Sequence, residues 1–369
     1  MAQRTTTRWW LCTALLVLTA LAYTPTLKYP WIYEDANWLG AIAEPVIAWH
    51  VPGRALTMQT FHWTWQAVGL EPFGYRLGNV AIHLVNGALV YAIAATLIPG
   101  AAAVWGAGVF LLHPLNSEAV SYVSARTDLL STTFILLAVW LCLGRVAIWR
   151  LGLIGAALVG AALSKETGVL GVPLVVVTLL IWRPQLPASA LVAPLWIGLG
   201  AAIGAMWSSV IAWLSMPSSA GGTFFAWPQF AVLQLTAAWH LLSLLLWPDG
   251  FSIDHDVLAL GSGWAVAAVL LTISAGAAIA LGWRRAPVVA WALAWVGITI
   301  VPRLVFRTTE FLHEYQMYLA LAALSVLAGA TMSRLWMWHP HPLARVLPIW
   351  FLADLRREWQ QSGLSRRTA

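Results

Sequence analysis

Residues 77–97 read LGNVAIHLVNGALVYAIAATL and residues 101–115 read AAAVWGAGVFLLHPL. Neither stretch holds an Asp, Glu, Lys or Arg. A bilayer core takes about 20 apolar residues as helix, so 77–98 and 101–115 read as two membrane spans. Working outward, eight more stretches share the pattern: 9–27, 127–144, 146–163, 168–182, 191–214, 263–282, 287–305 and 314–333. Several are short. The expected fold is an all-α polytopic membrane bundle of about ten helices.

Composition agrees. The chain is 60% hydrophobic and 9% charged, with mean hydropathy +0.77, where soluble domains carry roughly 25% charged residues. Many of the 25 Trp fall near span ends, where indoles favour the interface. The pI of about 9.7 does not mark a nucleic-acid binder, because the cations sort by membrane side. Cys12 and Cys142 both lie in apolar stretches and give neither a disulfide framework nor metal spacing. Residues 1–27 have signal-peptide character, but the later spans favour an uncleaved first helix.

The stretch Trp227 to Trp247 decides the topology. As a span it would put Asp249, Asp254 and Asp256 inside and Arg284-Arg285 outside, against the positive-inside rule. It is therefore expected as an interfacial or re-entrant helix on the outer side. Thirteen cations and two acids then lie inside, with seven cations and twelve acids outside. Both termini are expected in the cytoplasm. A membrane domain is expected over 1–333, with a long first outer loop at 28–76. A basic cytoplasmic tail follows at 334–369, where 343–355 suits a short amphipathic surface helix.

The outer side carries four clusters. They are Glu34-Asp35 with Arg54; His113-Pro114 with Glu118, Arg126 and Asp128; Lys165-Glu166-Thr167-Gly168; and Arg303, Arg307, Glu310, His313 and Glu314, running into Tyr318. Acids are scarce here, 14 in 369 residues, and ionisable groups beside a membrane mark functional sites by default. The first three clusters also have a plain reading: a solvated loop for Glu34-Asp35, a helix cap for Glu118, a hairpin tip for Lys165-Glu166. Asp254-His255-Asp256 reads as a turn. Together the clusters suit an outward pocket for group transfer from an anionic leaving group. A carboxylate accepts the proton of a hydroxyl nucleophile, and Arg or Lys stabilises a departing phosphate. The membrane setting suggests a lipid phosphate.

Several motifs stand in order: Arg54-Ala-Leu-Thr57, Pro72-Phe-Gly-Tyr75, His83-Leu-Val-Asn86, His113-Pro114 to Glu118, Arg126-Thr-Asp128-Leu-Leu, Lys165-Glu166-Thr-Gly168 and Glu314-Tyr315-Gln316-Met317-Tyr318. Their order and spacing resemble bacterial proteins related to the transmembrane O-mannosyltransferases that target cadherins, within the glycosyltransferase C fold. The resemblance runs from about Tyr33 to Leu319. It implies a polyprenyl-phosphate sugar donor and a protein or glycan acceptor, with transfer on the outer face of a bacterial inner membrane. The acidic pair maps onto Glu34 and Asp35 as the catalytic candidates. Arg126, Lys165, Arg303 and Arg307 are candidate donor-phosphate ligands. Arg54, His83, His113, Glu118, Asp128, Glu166, Glu314 and Tyr318 are supporting residues. No cofactor is called for, though the carboxylates are compatible with a divalent metal.

The chain departs from the family pattern in three places. Glu34 stands where Asp is usual, Gln316 where Arg is common, and Ala320 where Pro is common. No tetratricopeptide repeats follow the membrane region, so a separate repeat or complex partner is expected if repeats are needed. Two other classes stay open: a catalytically degenerate scaffold or assembly subunit, and a lipid or solute transporter. Few ionisable residues fall inside the spans, which weighs against transport of a charged substrate.

Overall fold

The computed structural model describes residues 2–32, 35, 52–98, 101–144, 147–183, 200, 226–252, 255–305, 311 and 313–338. Asp254, Arg307, Glu310, residues 33–34 (with Glu34) and 36–51 of the first outer loop, the 191–214 stretch apart from residue 200, and the tail beyond 338 lie outside them.

The described residues form an all-α polytopic membrane protein. Its helices are α1 (Ala2–Tyr23), α2 (Ala55–Val68), α3 (Pro72–Leu97), α4 (Ala102–Leu112), α5 (Ser117–Ser121), α6 (Arg126–Leu143), α7 (Ile148–Ser164), α8 (Gly171–Trp182), α9 (Trp227–Ser243), α10 (Gly261–Arg285), α11 (Pro287–Val305) and α12 (Tyr318–Trp338). Six segments among the described residues are long and apolar enough to cross a membrane. They correspond to α1, α3, α6, α10, α11 and α12 with short extensions. Helices α4, α7 and α8 are apolar but shorter.

Local chemistry sets the boundaries. Pro72 occupies the first turn of α3, where its missing N–H costs nothing. Asp128 lies in the first turn of α6 and Arg284-Arg285 in the last turn of α10. Both placements match the helix dipole. Pro287 then opens α11, whose interior Pro302 interrupts the hydrogen-bond ladder just before Arg303.

Helix α6 is central, packing on α7, α3 and α8, while α12 packs on α4 and α11. The α4–α12 contact is backbone to backbone. A Cβ at Gly106 would stand 2.8 Å from Ser325 O, and one at Gly329 would stand 2.8 Å from Ala102 O. Small residues bring helices together where lipid supplies no hydrophobic drive. Val266, Leu270, Ile273 and Leu281 of α10 are exposed, as suits a lipid-facing helix.

The 227–247 stretch does form a helix, α9. Its row Phe230, Gln234, Ala237, Ala238 and Leu241 is buried, and Trp239 Nε1 donates to Thr272 Oγ1 of α10 at 2.9 Å. Helix α9 therefore packs into the bundle.

Candidate functional site

One end of the bundle gathers the Pro52–Arg54 turn, α5, the start of α6, the end of α7, the end of α11 and the 313–317 turn. The Lys165 backbone is extended (φ −158°), between α7 and a tight turn at Glu166–Leu170. Gly168 lets that turn fold back, since a Cβ there would fall 2.1 Å from Ala161 O. The two charged neighbours then diverge. Lys165 Nζ donates to both Asp128 oxygens at 2.6 Å. Glu166 accepts from Arg54 Nε at 2.8 Å. Thr57 Oγ1 ties α2 to this corner by donating to Ser164 O at 2.8 Å.

Asp128, Lys165, Arg303 and Gln316 line a cavity with Ser131, Thr132, Thr167 and Thr299, floored by Leu170, Pro302 and Leu319. It encloses about 490 Å³ including its open mouth. Burial lowers the Lys165 pKa; Asp128 opposes that shift, while Arg54 and Arg303 add to it. Burial also works against the Arg54 charge, but Glu166 more than offsets it and the Arg54 pKa rises. The Tyr315 ring lies 5.4 Å from Lys165 Nζ, within cation–π reach.

Asp35 is 1% exposed. Its Oδ1 accepts from Ser124 N at 2.9 Å and Ser124 Oγ at 2.8 Å, and Ile32 N reaches Oδ2 at 3.5 Å. Burial raises its pKa against those bonds. The chain continues to the cavity: Thr127 Oγ1 lies 3.3 Å from both Ser124 O and Asp128 Oδ2. The start of α6 thus joins the first-loop acid to the Lys165 pair.

Other expected site residues have structural duties. Arg126 was expected to hold donor phosphate, yet its guanidinium is engaged on all sides. Nε donates to Asn79 Oδ1 at 2.8 Å, Nη2 to Tyr75 O at 2.7 Å and Nη1 to Thr64 Oγ1 at 3.1 Å. Phe61 covers its face at 4.4 Å. It locks α2, α3 and α6 together and has no free edge for a phosphate. Glu118 and Glu314 were expected to orient cations or bind sugar hydroxyls. Glu118 Oε2 instead accepts from Tyr315 N at 2.9 Å. Glu314, fully buried, accepts from Ser252 N at 2.7 Å and pairs with His255 Nε2 at 3.0 Å. His83 bridges Tyr318 OH at 2.7 Å and Leu111 O at 3.0 Å within the bundle. His113 Nδ1 accepts from Leu115 N, so its Nε2–H donates to Leu245 O. Burial lowers its pKa to about 4, which keeps it neutral.

Two residues were missed. Arg76 is fully buried and donates to the carbonyls of Tyr29, Pro30 and Ser121, fastening the entry of the first loop to α3 and α5. Ser124 holds Asp35. Neither stands out in sequence, because their partners are backbone groups or lie 89 residues away. Gln316 accepts from His313 N at 3.2 Å and donates to Tyr315 OH at 3.1 Å. Among the described residues, no three His, Cys, Asp or Glu side chains gather as a metal site.

Neither a family model nor a solved structure matches the chain. Curated proteins do. Protein O-mannosyl-transferase Tmtc1 of Drosophila melanogaster is 40% identical over 90 residues, covering 24% of this chain and 10% of the relative. Protein O-mannosyl-transferase Tmtc2 of the same organism is 30% identical over 192 residues, 43% of this chain and 20% of the relative. Human protein O-mannosyl-transferase TMTC3 is 32% identical over 89 residues, 24% of this chain and 10% of the relative. The chain thus spans only 10–20% of the length of these relatives, and over those stretches it resembles these protein O-mannosyl-transferases.

Proposed function

We propose that this chain is a membrane glycosyltransferase that moves a sugar from a polyprenyl-phosphate donor to an acceptor hydroxyl. Transfer takes place on the outer face of a bacterial inner membrane, with both termini in the cytoplasm. The observation that carries this reading is the cavity lined by Lys165, Asp128 and Arg303, linked through Thr127 and Ser124 to Asp35. The resemblance to named O-mannosyl-transferases supports it.

The acceptor oxygen attacks the anomeric carbon of the donor. The bond from that carbon to the phosphate oxygen breaks, and the phosphate departs with the electron pair. The acceptor proton passes to a first-loop carboxylate. Asp35 already accepts from Ser124 and Ile32 on both oxygens, so it serves as the orienting member and Glu34 as the base. Lys165 and Arg303 face the departing phosphate, with Arg307 as a further ligand. Asp128 holds Lys165, and Glu166 holds Arg54. The acceptor is a protein or glycan.

Purified chain in nanodiscs should bind radiolabelled polyprenyl-phosphate mannose saturably. Lys165→Ala should weaken that binding at least tenfold, since losing one partner of a buried charged contact costs roughly 2–5 kcal/mol. Arg285→Ala, at the opposite end of α10, should not change it. Equal binding by wild type and Lys165→Ala would remove Lys165 from the donor site.

One observation favours a second reading, a catalytically degenerate scaffold. Lys165 and Arg54 are already neutralised by Asp128 and Glu166, and Gln316 replaces the family's Arg. That reading predicts no donor binding by the wild type.

A further inference from the structure

We propose that Arg150 and Arg183, at the end of the bundle opposite the cavity, form a binding site for the phosphate headgroup of an anionic phospholipid. Helix α6 ends there at Leu143, α7 begins at Ile148 and α8 ends at Trp182. Arg183 Nη2 donates to Leu143 O at 2.6 Å and Gly144 O at 2.9 Å, capping the last turn of α6. Arg150 reaches the same residue from α7: a Cβ on Gly144 would lie 1.4 Å from Arg150 Nη1. Two guanidinium groups therefore converge on Gly144.

No acid among the described residues pairs with them. Among the described residues, the salt bridges are Arg54–Glu166, Lys165–Asp128 and His255–Glu314. The described acids lie in the turns and helix ends of the cavity end. One buried donor at this corner, Arg183 Nε, has no hydrogen-bond partner among the described residues. A buried N–H and two converging cations with no anion among the described residues suit an anionic acceptor. A phosphate meets that need, since guanidinium forks match its oxygens.

The surroundings select a lipid over a free anion. Trp149 is 59% exposed, and the Arg150 guanidinium lies 5.2 Å from its ring centroid. Exposed indoles sit at the headgroup level of a bilayer. Trp140 of α6 and Leu153 of α7 are exposed next along the two helices, giving the acyl chains an apolar wall. Basic pockets between membrane helices bind anionic lipid headgroups in this way. The site is independent of the glycosyltransferase reading.

The test is native mass spectrometry of the full chain in neutral detergent. The protein is titrated with dioctanoyl phosphatidylglycerol, dioctanoyl phosphatidylcholine and inorganic phosphate. Phosphatidylglycerol should bind at least fivefold more tightly than phosphatidylcholine, and inorganic phosphate should not displace it at equal concentration. Arg150→Gln and Arg183→Gln should each weaken it about fivefold, one basic side chain's share of headgroup attraction. Arg284→Gln/Arg285→Gln should leave it unchanged. Arg183→Gln also removes the α6 cap, so Arg150→Gln decides if that variant misfolds. The proposal is overturned by equal affinity for the two lipids, by unchanged binding in Arg150→Gln, or by an equal loss in the Arg284/Arg285 variant. Displacement by inorganic phosphate at equal concentration would overturn the lipid assignment.

Discussion

Asp128→Asn tests the corner on which the cavity depends. Wild-type Asp128 accepts two 2.6 Å bonds from Lys165, and the two side chains are 13% and 10% exposed. Removing one partner of a fully buried pair costs about 3–5 kcal/mol. Here the cavity mouth admits solvent, so the expected loss is about 2–3 kcal/mol. It should depend on pH. Burial, Arg54 and Arg303 hold the Lys165 pKa below its ordinary value, and Asp128 is the group opposing them. Without Asp128 the folded pKa falls further. Between that value and the unfolded value of about 10.4, the unfolded chain binds more protons, so stability rises with pH. The defect should be greatest at low pH and shrink as the pH approaches 10. Asp128→Asn/Lys165→Met removes both charges and should return to within about 1 kcal/mol of wild type, because replacing a whole buried pair is often neutral. The assay is equilibrium unfolding of detergent-solubilised protein by sodium dodecyl sulfate, followed by tryptophan fluorescence. An Asp128→Asn variant as stable as wild type, or a double variant no better than the single one, would refute the reasoning.

Ser124→Ala removes the hydroxyl bond to Asp35, worth roughly 1.5–3 kcal/mol for a charged acceptor. It should raise the Asp35 pKa further. An acid whose folded pKa is raised loses stability as pH climbs through the window above its ordinary value, so the variant's deficit should widen with rising pH in unfolding midpoints; an unchanged midpoint would count against the anchor. Gly168→Ala drives a methyl into Ala161 O and should destabilise by about 1–3 kcal/mol. It should also weaken donor binding by displacing Lys165. Wild-type stability and donor binding in that variant would show that the turn relaxes without moving the site.

Helix positions were legible where punctuation is strong. The expected span 287–305 coincides with α11, opened by Pro287, and 127–144 lies one residue from α6, whose first turn holds Asp128. Stretch 227–247 was harder, because charge patterning reports which side of the membrane its ends face and not how its apolar row packs. The Lys165 motif was legible as a charged turn between apolar helices. Its partner was not, since Asp128 lies 37 residues away on another helix. Arg126 shows the limit most clearly. A cation on the outer side looks the same in sequence whether it awaits a phosphate or is consumed by Asn79, Thr64 and a backbone carbonyl. Asp35 is similar, because Ser124 is an unremarkable serine until the fold brings it within 2.8 Å.

The central claim is that the first-loop acidic pair performs sugar transfer beside the Lys165 cavity, with Glu34 as base and Asp35 as its support. The most direct measurement is transfer from radiolabelled polyprenyl-phosphate mannose to acceptor in reconstituted membranes, comparing wild type with Glu34→Gln and Asp35→Asn. General-base action contributes typically about 10²- to 10⁴-fold in rate. Glu34→Gln should lose transfer by about that factor while binding donor and folding as wild type does. Asp35→Asn should lose transfer together with stability. Wild-type transfer rates in both variants, or no transfer by the wild type under conditions where it binds donor, would contradict the account.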